Sequence, residues 1–253
     1  KKYRENYVFT PRFAPSTTPK LMREGAKLSE KYGHWIQSHL SETREECQFV
    51  LDTFRQFPGF ENVKSYTDVY DRCGLLGPKT IMGHGIYLSS SEWKRLAETQ
   101  TAIAHCPTSN APVREKGLGS GLFDFRRAEK ENVRWGLGSD IGAGPYLSML
   151  DVMRSFVQQN QKRGILGANY VKALHRATRA NAEILGMSGK MGDFSIGNEA
   201  SFLVLESPGK RLSNDPESVL KRICTRPQKR RSELQNAVLA SFWQGQKIFT
   251  RDR

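Results

Sequence analysis

The chain has 253 residues, of which 38% are hydrophobic and 10% aromatic, so it is long enough to bury an apolar core and is expected to be globular. It carries a formal net charge of +13, and no window approaches the roughly 20 apolar residues that a membrane-spanning helix needs. No apolar segment with a cleavage site opens the chain, which begins with Lys1, so we expect a soluble protein that lacks its beginning.

Short apolar runs alternate with longer amphipathic segments from Tyr7 to about Gly186, a rhythm that predicts βα units around a parallel sheet. Helix starts are marked by two capping patterns, Thr43 with Glu46 and Ser89 with Glu92. The predicted strands are Tyr7–Arg12, Trp35–His39, Thr80–His84, Thr101–His105 and Val133–Ser139.

Towards the end of the chain the pattern changes. Asn169 precedes a helix predicted to run towards Gly186, where a glycine is a natural stop. Beyond Met187, Gly192–Glu206 and Ala237–Phe249 resemble strands with turns, and Ser207–Pro227 is predicted to be a surface loop with a short helix. We therefore predict two domains, a barrel part at 1–190 and a small β-rich appendage with a basic loop at 191–253.

The cysteines and the basic residues indicate the cellular location and the possible partners of the protein. The four cysteines lie far apart without a CxxC pair, which argues against a disulfide framework or zinc finger and favours a reducing, cytoplasmic location. The basic clusters permit contact with nucleic acid, but a solvated basic face is the favoured interpretation. These clusters are Lys221–Arg222, Arg226, Lys229–Arg231 and Arg251–Arg253.

Polar side chains that suit metal and proton chemistry fall at the ends of three predicted strands. His39 and His84 each end a strand, Glu42 follows His39 within three residues, and Asp140 follows the last strand. The carboxyl ends of barrel strands share one edge, where such barrels hold their active sites. Histidine and carboxylate suit zinc, and an unligated glutamate suits a proton shuttle. Singly, each residue is more often structural, and the argument depends on the joint pattern.

The same stretches resemble the guanine deaminases of the amidohydrolase superfamily. The resemblance runs in the family's order from about Val8 to Glu206 and implies the C-terminal portion, about five of eight βα units, of a TIM-like barrel of α/β class plus a small β appendage. It is carried by Thr10-Pro-Arg-Phe13, Gln37-Ser-His-Leu-Ser-Glu42, Gly83-His-Gly85, Ala104-His-Cys-Pro-Thr-Ser-Asn110, Gly119-Ser-Gly-Leu-Phe123 and Gly136–Gly144.

The resemblance implies a zinc-dependent hydrolase. His39 and Asp140 would be metal ligands, and Asp140 would also orient the attacking water. Glu42 would move a proton as general base and then general acid, and His84 would stabilise the tetrahedral centre.

The resemblance also implies a purine substrate, guanine. Arg12 and Phe13 match the family's substrate-binding pair, and without the family match Arg12 would be taken for a surface residue. His105 is expected to be structural or to support the site, and His34 and His175 to be structural. Relatives are commonly homodimers, which implies a homodimer here, and no membrane is expected.

Two features depart from the family pattern. No two of the five histidines are separated by one residue, so the family's His-x-His metal motif, which lies upstream of the matched stretches, is absent. The loop Ala111–Lys116 is longer than is usual in the family. Three hypotheses stay open: guanine deamination in the complete protein, deamination of another amino-substituted heterocycle, and a catalytically dead paralogue that acts as a structural or binding subunit.

Overall fold

The structure, a computed structural model, describes residues 7–207, 209, 213–226 and 233–251. In this part of the chain, no helix is long and apolar enough to cross a lipid bilayer. The predicted basic residues Lys229–Arg231, and Arg253, lie outside the described residues.

A five-stranded sheet follows the strand order of the sequence, β1-β2-β3-β4-β5. Neighbouring strands from β1 to β4 pair in parallel, and the amide of Ile103 donates to the carbonyl of Arg134 at 2.9 Å where β5 begins. The strands are β1 Val8–Phe9, β2 Trp35–Leu40, β3 Thr80–His84, β4 Ala102–His105 and β5 Trp135–Leu137. All five predicted strands are therefore confirmed, and the first and last are shorter than predicted.

Ten helices connect and follow these strands in the described part of the chain. They are α1 Pro19–Tyr32, α2 Arg44–Phe54, α3 Tyr66–Arg72, α4 Ser90–Glu98, α5 Pro107–Asn110, α6 Phe125–Lys130, α7 Met149–Lys162, α8 Tyr170–Ala177, α9 Arg179–Ile184 and α10 Pro216–Cys224. Both predicted capping boxes form, at Thr43 before α2 and at Ser89 before α4. Parallel strands joined by helices confirm the predicted α/β class with a partial barrel.

A smaller antiparallel sheet is formed by β6 Phe202–Leu205, β7 Val238–Trp243 and β8 Gln246–Thr250, as expected for the appendage. The turn predicted at Ile196-Gly197-Asn198 is present, but within the predicted Gly192–Glu206 only Phe202–Leu205 is a strand. The part before the turn is irregular because Gly192 has a positive φ and the Asp193 carboxylate accepts from the amide of Ser195.

The helix predicted from Asn169 is capped by that residue but breaks into α8 and α9 at Thr178. The Thr178 hydroxyl donates to the carbonyl oxygen of Leu174 at 2.8 Å, which competes with the helical backbone. Gly186 then adopts a positive φ after α9, as expected of a helix stop.

The described residues form two compact units, the first within 7–105 and 123–135, the second within 106–122 and 136–251. In the first unit, Leu40, Met82 and Ile103 of the sheet are fully buried with Phe54 and Leu96 of the helices. The sequence predicts a different boundary, between a barrel part at 1–190 and an appendage at 191–253, and that division stays a prediction.

Candidate active site

Three of the predicted site segments have an unusual backbone where their strands end. Ser41, His84 and Asp140 adopt φ values of 49°, 72° and 47°, in the left-handed region that non-glycine residues rarely occupy. Such conformations cost free energy and cluster at functional sites. After β2, the amides of Gly85 and Ile86 donate to the carbonyls of Leu40 and Ser41 at 2.8 and 3.0 Å and hold this geometry.

The predicted metal ligand His39 lies against the segment of the predicted substrate-binding pair. The amide of His39 donates to the carbonyl oxygen of Arg12 at 3.1 Å, and its Nδ1 also contacts that oxygen. Arg12 is exposed, with its guanidinium 5.4 Å from the centre of the Phe13 ring. The structure therefore brings three predicted site residues together.

The tautomer of His39 follows from this contact. A carbonyl oxygen only accepts, so a hydrogen bond here requires the proton on Nδ1, and in that neutral tautomer Nε2 is the nitrogen with the lone pair. Metal-binding histidines commonly donate their other ring N–H to a carbonyl or carboxylate in this manner. The orientation of His39 therefore fits a zinc ligand.

His84 and Glu42 complete the group in the first unit. The His84 ring stacks on that of His39, with centroids 5.1 Å apart and planes at 22°. Glu42 Oε2 lies 3.6 Å from Nε2 of His84, whose side chain is only 2% exposed. A half-buried carboxylate thus faces a buried imidazole, an arrangement that suits proton exchange between a bound molecule and either group.

Beneath this group lies a pair of stacked tyrosines that the sequence analysis did not identify. Tyr70 is fully buried, and its hydroxyl donates to the carbonyl oxygen of His39 at 2.9 Å and lies 2.7 Å from Oγ of Ser38. The Tyr66 hydroxyl donates to Glu46 at 3.2 Å and accepts from the amide of Ala14. Together the two rings join the segments that carry Phe13, His39 and Glu42.

Burial keeps both phenols protonated. It raises the pKa of Tyr70 to about 12 and raises the pKa of Tyr66 further above its usual value. Both groups therefore stay neutral donors at any physiological pH. Their i, i+4 spacing on α3 was the available signal, because it places both rings on one helix face.

Glu46 positions the neighbouring Glu42. Its Oε2 accepts from the amides of Glu42 and Thr43 at 2.8 and 3.4 Å, while Thr43 Oγ1 accepts from the amide of Glu46 at 3.0 Å. The same capping box that starts α2 thus fixes the backbone from which Glu42 projects.

His105 is fully buried, and its ring stacks on Phe123 at 5.0 Å. Burial, and to a smaller extent the charge of His84, lowers the pKa of His105 to about 3. The imidazole is therefore neutral at physiological pH. This favours the expected structural role over one in proton transfer.

Asp140 belongs to the second unit, three residues after β5. Its carbonyl oxygen accepts from the amides of Ala143 and Gly144 at 3.2 and 2.6 Å, and the Thr108 hydroxyl donates to the carbonyl of Ser139 at 3.3 Å. Gly144 is required here because a Cβ atom would lie 2.4 Å from the carbonyl oxygen of Ser139. The turn holds the Asp140 backbone in one conformation.

Comparison with known proteins identifies the family of the chain. Residues 1–239 match the Amidohydrolase family. The chain belongs to the amidohydrolase family. A guanine deaminase from Escherichia coli K12 is 37% identical over 201 residues, which cover 79% of this chain and 43% of the relative. A solved structure of E. coli guanine deaminase has a TM-score of 0.84 at 31% identity, covering 98% of this chain and 56% of the other.

Two further similar solved structures contain bound ligands. A guanine deaminase from C. acetobutylicum with bound guanine has a TM-score of 0.79 at 30% identity, covering 96% of this chain and 55% of the other. An adenosine deaminase from Xanthomonas campestris with bound zinc has a TM-score of 0.75 at 19% identity, covering 98% and 54%, and shows the shared fold alone. The chain spans about half the length of the relatives it matches.

Proposed function

We propose that this amidohydrolase chain supplies most of the catalytic residues for the hydrolytic deamination of guanine to xanthine and ammonia. The observation that carries the proposal is the group of His39, His84 and Glu42 beside the Arg12–Phe13 segment. In this group a half-buried carboxylate lies 3.6 Å from a buried imidazole. The 37% identity to a guanine deaminase over most of the chain supports guanine as the substrate.

The chain's own residues divide the chemistry. Glu42 takes one proton from the attacking water and delivers it to a ring nitrogen, then takes the second proton from the oxygen now bonded to carbon and delivers it to the amino group, which leaves as ammonia. His84, whose ring is held against both Glu42 and His39, stabilises the tetrahedral centre at the carbon that loses the amino group by donating to the oxygen added from water. The Arg12 guanidinium donates to purine acceptor atoms, and the Phe13 ring packs on the base.

We infer zinc as the cofactor, with His39 and Asp140 as ligands. Zinc would lower the pKa of a bound water, which makes hydroxide available at neutral pH. The carbonyl contact of His39 Nδ1, which leaves Nε2 free, supports the first ligand. Catalytic zinc sites normally use three protein ligands, so a further ligand besides these two is needed.

The test is metal content and xanthine formation from guanine, in this chain and in any longer product of the same gene. Glu42→Gln is expected to lower turnover by about 10²–10⁴-fold. Glu45→Gln, the same charge change at an exposed position three residues on, is the matched control and should leave turnover unchanged. Full activity of Glu42→Gln would contradict the proposal.

A cytoplasmic location and a homodimer complete the proposal. The four cysteines, all within the described residues, form no disulfide with one another, as expected in a reducing compartment. Localisation of a tagged protein and light scattering after size exclusion test these two statements.

A further inference from the structure

The second unit contains a basic cavity that the proposed deamination does not use. Its volume is about 440 Å³. One wall is the loop 111–117 and another is α7, and Thr225 and Arg226 border it. Its charged lining residues are Arg114, Glu115, Lys116, Arg154, Lys162 and Arg226.

The positive charge of this cavity is only partly neutralised. Lys162 pairs with Glu115 at 2.7 Å and Arg154 pairs with the buried Asp151 at 2.6 Å. Arg226 pairs with Glu206 at 3.2 Å. Glu206 is shared with Arg251 at 3.4 Å, so among the described residues three carboxylates oppose six cations, an excess of three positive charges.

Two of the excess charges belong to Arg114 and Lys116, on the loop 111–117. This loop is well defined, since the amides of Gly119 and Leu118 donate to the carbonyls of Ala111 and Ser109 at 2.8 and 2.6 Å. A Cβ atom at Gly117 would lie 2.2 Å from the carbonyl oxygen of Ala111, so the loop closes tightly on itself. The two cations are therefore held at the cavity rather than on a free tail.

The remaining residues that line the cavity suit an organic ligand with a planar ring and polar groups. The centre of the Tyr146 ring lies 5.7 Å from the Arg154 guanidinium. The ring and the guanidinium are both flat, so both can pack on a planar ring of a ligand. Ser155 and Thr108 add hydroxyl groups. Cavities that bind small molecules span about 300–1,000 Å³, which places this one in the range of a mononucleotide.

We propose that this cavity binds a phosphorylated small molecule of nucleoside monophosphate size. Arg114 and Lys116 bind the phosphate, since guanidinium and ammonium groups form charge-assisted hydrogen bonds to its oxygens. Tyr146 and Arg154 pack on the base. A ligand there also touches Thr108, whose hydroxyl supports the Asp140 turn through Ser139.

The experiment is calorimetric titration of the 253-residue chain with GMP, inorganic phosphate and guanosine. GMP should bind saturably, with a dissociation constant below about 1 mM. Inorganic phosphate should bind more weakly and compete, and guanosine should not compete with phosphate. The double variant Arg114→Gln, Lys116→Gln should weaken GMP binding by at least about tenfold, since two charge-assisted contacts are lost.

The control is the double variant Arg163→Gln, Lys190→Gln, which removes the same charge from exposed positions of the same unit outside the cavity. It should change GMP affinity by less than about twofold. Thermal unfolding of both variants verifies that they fold.

Three results would overturn the proposal. The first is no saturable binding of GMP, and the second is an equal loss of GMP affinity in the two double variants. The third is tighter binding of a single-stranded RNA than of GMP, with RNA affinity reduced equally in the two double variants. The last two would indicate general electrostatic attraction to a basic surface. None of these measurements uses guanine turnover, so they are independent of the deaminase proposal.

Discussion

The hydroxyl of Tyr70 donates to the carbonyl oxygen of His39 at 2.9 Å, from a side chain that is fully buried beneath β2. Removing this hydroxyl leaves the partly buried His39 carbonyl without this donor, whereas the Ser38 hydroxyl keeps the Arg12 carbonyl oxygen as a partner. Tyr70→Phe should therefore lower the free energy of unfolding by about 1–3 kcal/mol. Urea denaturation measures the change.

Tyr32→Phe is the matched control for Tyr70→Phe. Tyr32 is 52% exposed, so loss of its hydroxyl should change the free energy of unfolding by less than about 0.5 kcal/mol. Equal effects of the two substitutions would show that the Tyr70 hydroxyl does not support β2.

The capping box of α2 links helix stability to the geometry of Glu42. Thr43→Ala removes the acceptor for the amide of Glu46 and loosens the carboxylate that accepts from the amide of Glu42. We expect a loss of about 1 kcal/mol in the free energy of unfolding, as for other N-cap residues. The amide resonance of Glu42 should shift in NMR spectra.

Ser89→Ala provides the comparison, because Ser89 and Glu92 form the same capping box before α4. Its cost should be similar, about 1 kcal/mol, whereas the Glu42 resonance should stay in place. A shift of Glu42 with both variants, or with neither, would refute the specific link between the α2 cap and Glu42.

The sequence predicts the elements whose causes are local. The boxes at Thr43 and Ser89 need only residues three apart, and β3 also matches its predicted bounds. The break at Thr178 was missed because it depends on a side-chain bond that competes with the helix, which periodicity does not reveal.

The candidate site is predicted in part for the same reason. Strand ends placed His39 and His84 on one edge, and the structure stacks their rings. The supporting role of Tyr70 comes from a contact across 31 residues, which depends on how α3 packs against β2. Neither composition nor spacing contains that information. The roles of Glu42, Arg12 and Phe13 stay predictions, as does that of Asp140.

His105 should make stability depend on pH. Its pKa in the folded protein is about 3, below the ordinary 6.5, so the unfolded chain takes up a proton at pH values where the folded one does not. The stabilisation is complete above the unfolded pKa and is lost as the pH falls towards 3. Between pH 7.5 and 5.5 the loss from this group should be about 1.4 kcal/mol.

Urea denaturation at several pH values, with the parent chain and His105→Gln, checks this contribution. The variant is less stable throughout because it disturbs the stacking on Phe123, so the slope against pH decides rather than the absolute value. Between pH 7.5 and 5.5, the free energy of unfolding of His105→Gln should fall by about 1.4 kcal/mol less than that of the parent chain. Parallel curves would show that His105 titrates normally in the folded protein.

Gly117 should be essential for the loop that borders the basic cavity. A Cβ atom there would lie 2.2 Å from the carbonyl oxygen and 2.7 Å from the carbonyl carbon of Ala111, and backbone atoms cannot move aside as a flexible side chain can. Gly117→Ala is therefore expected to destabilise the loop by about 1–3 kcal/mol, the usual cost of forcing an extra carbon into a packed region. Hydrogen exchange of the Leu118 and Gly119 amides, which donate to Ser109 and Ala111, should accelerate accordingly.

Gly77→Ala is the control for Gly117→Ala, since nothing lies within 4 Å of its Cβ position and its φ is not in the left-handed region. Unchanged exchange in Gly117→Ala would mean that the loop has room for a side chain, and the tight closure inferred for it would be wrong.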